Sequence, residues 1–488
     1  MSASAKGRNL VGQLRRHHRV LLLGLLVFVC LTGGGSRADI ASLAILRLVS
    51  AVAVCAALLA MRREDFALIR IPLGLLALLA VIAAVQLVPL PPSIWAALPG
   101  RETIGQLDAL LGLEVWRPIT LSPFKTANSL ASLIVPLAIL LLFSLLRDRT
   151  WLLGGLVAIG TFGALLGMVQ LFAPPASGIY FYEITNRGEA VGLFANRNHH
   201  AVFLACCVLI SLHLARQRHD LVGDGRRLAF AACALVMSIA VLANASRAGL
   251  ISLFLVGLFS AIAAAVPAAP TSKSRDTEPH RRRRIIFSVT FGLAASVILV
   301  LFAFADRSPA LSRLIGGSEL TDLRGRLVPY LLDMAASFQP LGAGMGAFEY
   351  AYRMREPVEL LGQRYLNNAH NDWLQFIIEG GAGAIAMLVV GAVITVTRIG
   401  QLMRNATPAR TSPDEAWLGL ALLILVAVAS TVDYPLRVPS VMALAIIALA
   451  MFTSPSIYKM RVDHHMKNSN KKTPDADRLS LKPAEQLG

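Results

Sequence analysis

The chain has 488 residues, 56% of them hydrophobic and only 15% charged, with a mean hydropathy of +0.62. That balance excludes a soluble domain of this length and calls for helices that cross a bilayer. A formal net charge of +17 would suit nucleic acid, but the basic residues follow a topological pattern that removes that reading.

Apolar runs predict about twelve membrane helices, at roughly 20–35, 40–61, 68–90, 128–146, 151–173, 199–215, 228–244, 248–267, 285–305, 374–397, 415–432 and 438–453. The first follows a basic leader (Lys6, Arg8, Arg15, Arg16 and Arg19) and reads as its own uncleaved signal. With the N-terminus in the cytoplasm, well over half of the 46 Lys and Arg fall on inner loops, including the run Arg281–Arg284 and the tail. Residues 1–19 are then a cytoplasmic leader, 20–453 the membrane domain, and 454–488 a polar cytoplasmic tail. Residues 268–284, rich in Pro, Ser and Arg, read as an inner linker. Three outer segments are long enough to hold structure, about 91–127, 174–198 and 306–373, the last joining the ninth and tenth helices. Within it, Leu327, Tyr330, Leu331 and Met334 recur at helical spacing between about Arg324 and Phe338. The run Leu341–Gly346 reads as a loop turn, and Glu379 beside Gly380 and Gly381 as a buried pair holding a hinge. All five cysteines lie in apolar runs without disulfide or metal spacing and read as small buried hydrophobes.

With this topology the unusual polar residues share the outer face. Asn196, Arg197, Asn198 and His199 enter the sixth helix, and Ser246 and Arg247 turn between the seventh and eighth. Arg324 and Arg326 open the amphipathic stretch, while His370, Asn371 and Asp372 close the large loop. Arg437 ends the turn Asp433–Arg437 between the last two helices. Arginine keeps its charge and grips phosphate oxygens in two places. A histidine can take a proton from an attacking hydroxyl. Together these are parts for moving a glycan from a lipid diphosphate to an alcohol, with no metal or cofactor called for. Each residue also has a plainer reading. Arg197 and Arg247 would snorkel at helix ends, Ser246–Gly249 would allow close helix packing, and His370 would be a hydrogen-bonded interface residue.

The motifs Asn196-Arg197-Asn198-His199, Ser246-Arg247-Ala248-Gly249, Arg324-Gly325-Arg326 through Gly346, and Ala369-His370-Asn371-Asp372-Trp373-Leu374-Gln375 resemble the O-antigen ligase and polymerase family. Pro89-Leu90-Pro91-Pro92 and Asp433-Tyr434-Pro435-Leu436-Arg437 are similar to its exopolysaccharide-type members. The resemblance implies an all-α, GT-C-like glycosyltransferase of the bacterial inner membrane, working at the periplasmic face, inverting and metal-independent. It implies an undecaprenyl-diphosphate-linked glycan as donor, and lipid A-core or a second lipid-linked glycan as acceptor. By motif match, Arg197 and Arg247 would hold the diphosphate and His370 would activate the acceptor hydroxyl. Arg324 or Arg326 would add a phosphate or sugar contact, and Asp372 would orient His370 or the acceptor. A lipid-linked sugar transporter remains the rival from another class.

Overall fold

The computed structural model describes residues 3–37, 39–217, 224–244, 246–265, 319–361, 366–404 and 414–454, with the side chains of 3–12, 224, 264–265, 319–325 and 414 left aside. The predicted helix at 285–305, the linker 268–284 and the tail from 455 lie outside the described residues.

Seven described helices are long and apolar enough to cross a membrane, so the chain is a multi-pass helical membrane protein. They are α2 (Ser42–Ala60), α3 (Arg63–Val85), the joined pair α6 (Pro123–Ser132) and α7 (Ile134–Ser144), α8 (Thr150–Phe172), α9 (Arg197–Arg216), α10 (Asp224–Ala243) and α14 (Asp372–Arg404). Three further apolar helices join them: α11 (Arg247–Ala265), α15 (Asp414–Ala429) and α16 (Pro439–Thr453). Ahead of these runs α1 (Ala3–Thr32), whose basic leader is continuous with its apolar half. Proline at the first position starts α6 and α16, where its missing N–H has no helical partner to lose.

The centre of the bundle is α9, whose buried positions include Ala201, Ala205, Cys206 and Cys207. Small residues let its neighbours approach closely. A Cβ at Gly160 of α8 would lie 2.8 Å from Cys207 Cβ, and one at Gly249 of α11 would lie 2.6 Å from Ala201 Cβ. Cys30, Cys206 and Cys207 are buried as expected and Cys233 is half-buried, but Cys55 is exposed. The reason is that α2 is peripheral, with most of its side chains on the outside of the bundle.

The two ends of the bundle are built differently. At one, Asp65 takes Arg147 at 2.6 Å and Arg15 at 3.6 Å, and Arg149 meets Glu415 at 3.0 Å. At the other, folded connections form a cap. Short helices α4 (Pro92–Ala96) and α5 (Glu102–Leu110) lie between strands β1 (Pro89–Leu90) and β2 (Arg117–Pro118), which pair antiparallel. Arg101, 1% exposed, donates to the carbonyls of Pro99, Ile119 and Gly342, tying this segment to the large loop. Burial lowers its guanidinium to about 10.

In the large loop, α12 (Glu319–Ser337) buries Leu327, Leu331 and Met334 against Phe338, Phe348 of α13 (Phe348–Arg353) and Ile378 of α14. Tyr330 stands outside that stripe, 39% exposed. The Leu341–Gly346 run is a turn, as its composition suggests, and Gly342, Gly344 and Gly346 all have positive φ. The turn docks on a break in α14 at Gly381 (φ +58°, ψ −141°). There Ala343 N–H donates to Ile378 O at 2.8 Å, Gly344 N–H to Glu379 O at 2.9 Å, and Ala382 N–H to Pro340 O at 2.7 Å. Gln86 completes the joint by donating to Glu379 O and Leu341 O and accepting from Met345 N–H. Every backbone group freed by the break thus named has a new partner, as a break within an apolar helix requires.

Candidate active site

At the capped end, three connections converge on one carboxylate. Asp433, 2% exposed, follows α15 in the turn that leads to α16. Its Oδ2 accepts from Asn198 Nδ2 at 2.7 Å, and its Oδ1 faces His370 Nδ1 at 3.3 Å and His199 Nε2 at 3.6 Å. The Tyr434 N–H also donates to Oδ1 at 3.0 Å. Burial works to raise the Asp433 carboxyl, but the His199 and His370 imidazoles that face it outweigh burial and hold it well below the usual carboxylate range. The Tyr434 ring packs against both imidazoles, with centroids 4.9 Å from His199 and 5.0 Å from His370.

Local sequence explains how each side chain arrives. Asn196 is the N-cap of α9, its Oδ1 accepting from Asn198 N–H at 2.8 Å. That cap fixes the first turn and aims Asn198 at Asp433. Ser246 Oγ donates to Asn198 Oδ1 at 2.9 Å, bringing the start of α11 to the same point. Asn244 Nδ2 donates to Arg197 O and Ala190 O. Arg197 and Arg247 therefore leave the backbone on either side of the Asn198–Ser246 contact. The Arg197 guanidinium meets Glu189 at 2.8 Å, and Arg247 is half-buried. His370 has φ +50°, the one non-glycine residue in left-handed backbone among the described residues. Such a conformation costs on the order of 1–3 kcal/mol and persists only where surrounding contacts over-determine it.

A second cluster of charged side chains lies beside the first. Arg437 meets Glu379 at 3.0 Å and Asp372 at 3.3 Å, and Glu379 is fully buried. Burial acts against the Arg437 charge, yet the two carboxylates outweigh it and raise its guanidinium above the usual value. Asp372 also accepts from Ser430 Oγ and Leu436 N–H. Gln375 bridges Glu379 to Asn368 and to Ala369 N–H, one residue before His370. Asn371 caps α14 through Leu374 N–H and holds Thr431 O.

The structure thus brings Asn196, Asn198, His199, Ser246 and His370 to one point, with Arg197 and Arg247 next in the chain to Asn198 and Ser246. It does not pair Asp372 with His370, despite their two-residue separation. Asp372 is committed to Arg437 and the 430–436 turn, and Asp433 faces the imidazole instead. Arg437 is held in that buried ion pair and not beside His370. Arg326 is exposed on α12, and the Arg324 side chain lies outside the described residues. Asp433, Tyr434 and Asn244 are members to which sequence reasoning assigned no role of their own, although the turns that carry them stood out. Their signal was position, since all three sit in outer turns between apolar runs.

Residues 232–389 match the family model described as O-antigen ligase, a stretch that runs from α10 past the break in α14 and includes Ser246, Arg247 and His370. No curated protein matches the chain. The residues that complete the cluster, Asn196–His199 and Asp433–Arg437, lie outside that match and are brought to it by the fold. With its membrane helices and this matched segment, the chain is a membrane enzyme of cell-surface polysaccharide synthesis that carries a domain of the O-antigen ligase family.

Proposed function

We propose that the protein is an inverting, metal-independent glycosyltransferase. It moves a glycan from undecaprenyl diphosphate to an acceptor hydroxyl at the periplasmic face of the bacterial inner membrane. On this reading the capped end faces the periplasm, the described helices plus 285–305 make about twelve spans of GT-C-like type, and both termini are cytoplasmic. The observation that carries it is the Asp433–His370 contact of 3.3 Å at the capped end of an apolar bundle.

With His370 Nδ1–H donating to Asp433, Nε2 carries the lone pair and is the nitrogen able to take a proton. It removes the proton of the acceptor hydroxyl as that oxygen attacks the anomeric carbon of the donor sugar. The bond from that carbon to the phosphate oxygen breaks on the opposite side, and the configuration inverts. Arg197 and Arg247 hold the charge of the leaving diphosphate, while Asp433 stabilises the imidazolium that forms. Asn198 and Ser246 keep Asp433 in place, and His199 and Tyr434 wall the imidazole.

Ligation to lipid A-core is the first reading of the acceptor, and polymerisation onto a second lipid-linked glycan is the other. The test is complementation of cells lacking the protein with wild type or His370→Ala. Loss of long glycan from lipid A-core, with lipid-linked polymer accumulating, identifies the ligase. Glycan cut back to single repeats, or secreted polymer lost while lipopolysaccharide is unchanged, identifies the polymerase. Wild-type glycan in both pools from His370→Ala would sink the assignment of the base.

A further inference from the structure

A cleft of about 910 Å³ opens on the capped end, outside the Asp433 cluster but sharing a wall with it. Its inner wall includes His199 and Tyr434, the side chains that pack on Asp433 and on the His370 ring. Its other walls come from the α1–α2 connection and the segment 181–186 ahead of α9. We propose that this cleft seats the sugar units next to the reacting bond, a hydroxyl-rich glycan. The proposal rests on the glycosyl-transfer reading above.

The lining supports sugar and disfavours phosphate. Neither Arg197 nor Arg247 is among the lining residues. The lining arginine, Arg37, is engaged by Asp39 through two hydrogen bonds of 3.0 and 2.6 Å. Glu183 adds a further carboxylate, so the ionised lining groups do not favour an anion. Asn186, Asn196 and Asn367 bring amides, which both donate and accept and so match hydroxyl groups. Phe181, 49% exposed, offers an apolar face of the kind that covers the C–H side of a sugar ring. The walls are fixed in advance: Tyr182 Oη accepts from Gly34 N–H at 2.6 Å, and Ala195 N–H donates to Gly34 O at 3.0 Å. A site set before binding loses less entropy when it fills. The volume is at the upper end of the usual range for ligand pockets, roughly 300–1,000 Å³, and leaves room for more than one ring.

The sugars could come from the donor repeat or from the acceptor, and one experiment separates them. Membrane vesicles holding the full-length chain would be supplied with extracted undecaprenyl-diphosphate-linked glycan and with purified acceptor. Initial rates would be measured as each is varied in turn. Phe181→Ala, Glu183→Ala and Ser36→Trp alter the cleft wall without touching the Asp433 cluster. They are expected to raise KM about tenfold for whichever substrate places its sugars there, with kcat kept within about twofold. A rise confined to the lipid-linked donor assigns the cleft to the donor repeat, and one confined to the acceptor assigns it to the acceptor glycan. Wild-type KM for both substrates in all three variants, with His370→Ala inactive, overturns the cleft proposal and leaves the reaction standing. Full transfer by His370→Ala removes the reaction assigned to this site, and the cleft's role with it.

Discussion

Asp433 receives Asn198, His199 and His370 on two oxygens, so a change there acts on the imidazole without touching substrate. Asp433→Asn keeps the shape but loses the charge that stabilises a protonated ring. It should lower the transfer rate about a hundredfold or more, measured as kcat in vesicles, with donor KM little changed. The same substitution carries a pH signature. A carboxyl held below its ordinary value contributes stability above the unfolded value of about 4, and that contribution is lost as pH falls through the depressed one. The gap in melting temperature between wild type and Asp433→Asn should not narrow between about pH 8 and 5, and should close in buffers below about pH 4. Sequence alone pointed to His370 and offered its near neighbour Asp372 to orient either the imidazole or the acceptor. The left-handed backbone at His370 separates their directions, and the true partner lies 63 residues further on. No local pattern encodes that pairing.

At the scale of elements, the break in α14 is the most informative feature. Glu379 is buried against Arg437, and removing one partner of such a pair leaves a charge stranded. Arg437→Ala, which strands Glu379 and Asp372 together, should destabilise the protein by about 3–5 kcal/mol, while the double change with Glu379→Ala should cost clearly less than the two single changes summed. Thermal unfolding of the four proteins in one detergent checks this. Gly381→Ala should destabilise independently, by about 1–3 kcal/mol from its backbone conformation alone, because φ +58° with ψ −141° suits glycine. The new Cβ would also press on Pro340 O. The pairing of Glu379 and the hinge at Gly380–Gly381 were legible, since an acid followed by two glycines within an apolar run is unusual. The partner was not, and neither was the docking of the Leu341–Gly346 turn on the break, which composition marks only as a turn.

For the whole molecule, the apolar runs were legible because the hydrophobic signal over about 20 residues outweighs local propensity. The expected run at 199–215 became Arg197–Arg216, and 415–432 became Asp414–Ala429. The 128–146 run began earlier, at Pro123, where proline starts α6. What the runs could not convey is which helix is central, because α9 and α2 are both apolar yet differ in burial. Orientation gives a direct test. A cysteine replacing Glu183, exposed at the capped end, should react with a membrane-impermeant maleimide in intact cells. One replacing Arg62, at the opposite end, should react only after permeabilisation. The reverse result would invert the topology. Native background should be low, because all five cysteines lie within helices and three are buried.

The joint at the α14 break also has an order in time. Gln86 and the 338–346 turn are synthesised before α14, so the acceptors and donors for its freed backbone groups are waiting when the helix emerges. Arg437, which neutralises Glu379 and Asp372, is made afterwards, on the approach to the last described helix. Two carboxylates therefore stay uncompensated until that later segment is made. The active-site turn carrying Asp433 arrives with that same arginine, so charge balance in the bundle and assembly of the His370 site are completed by one late segment of chain.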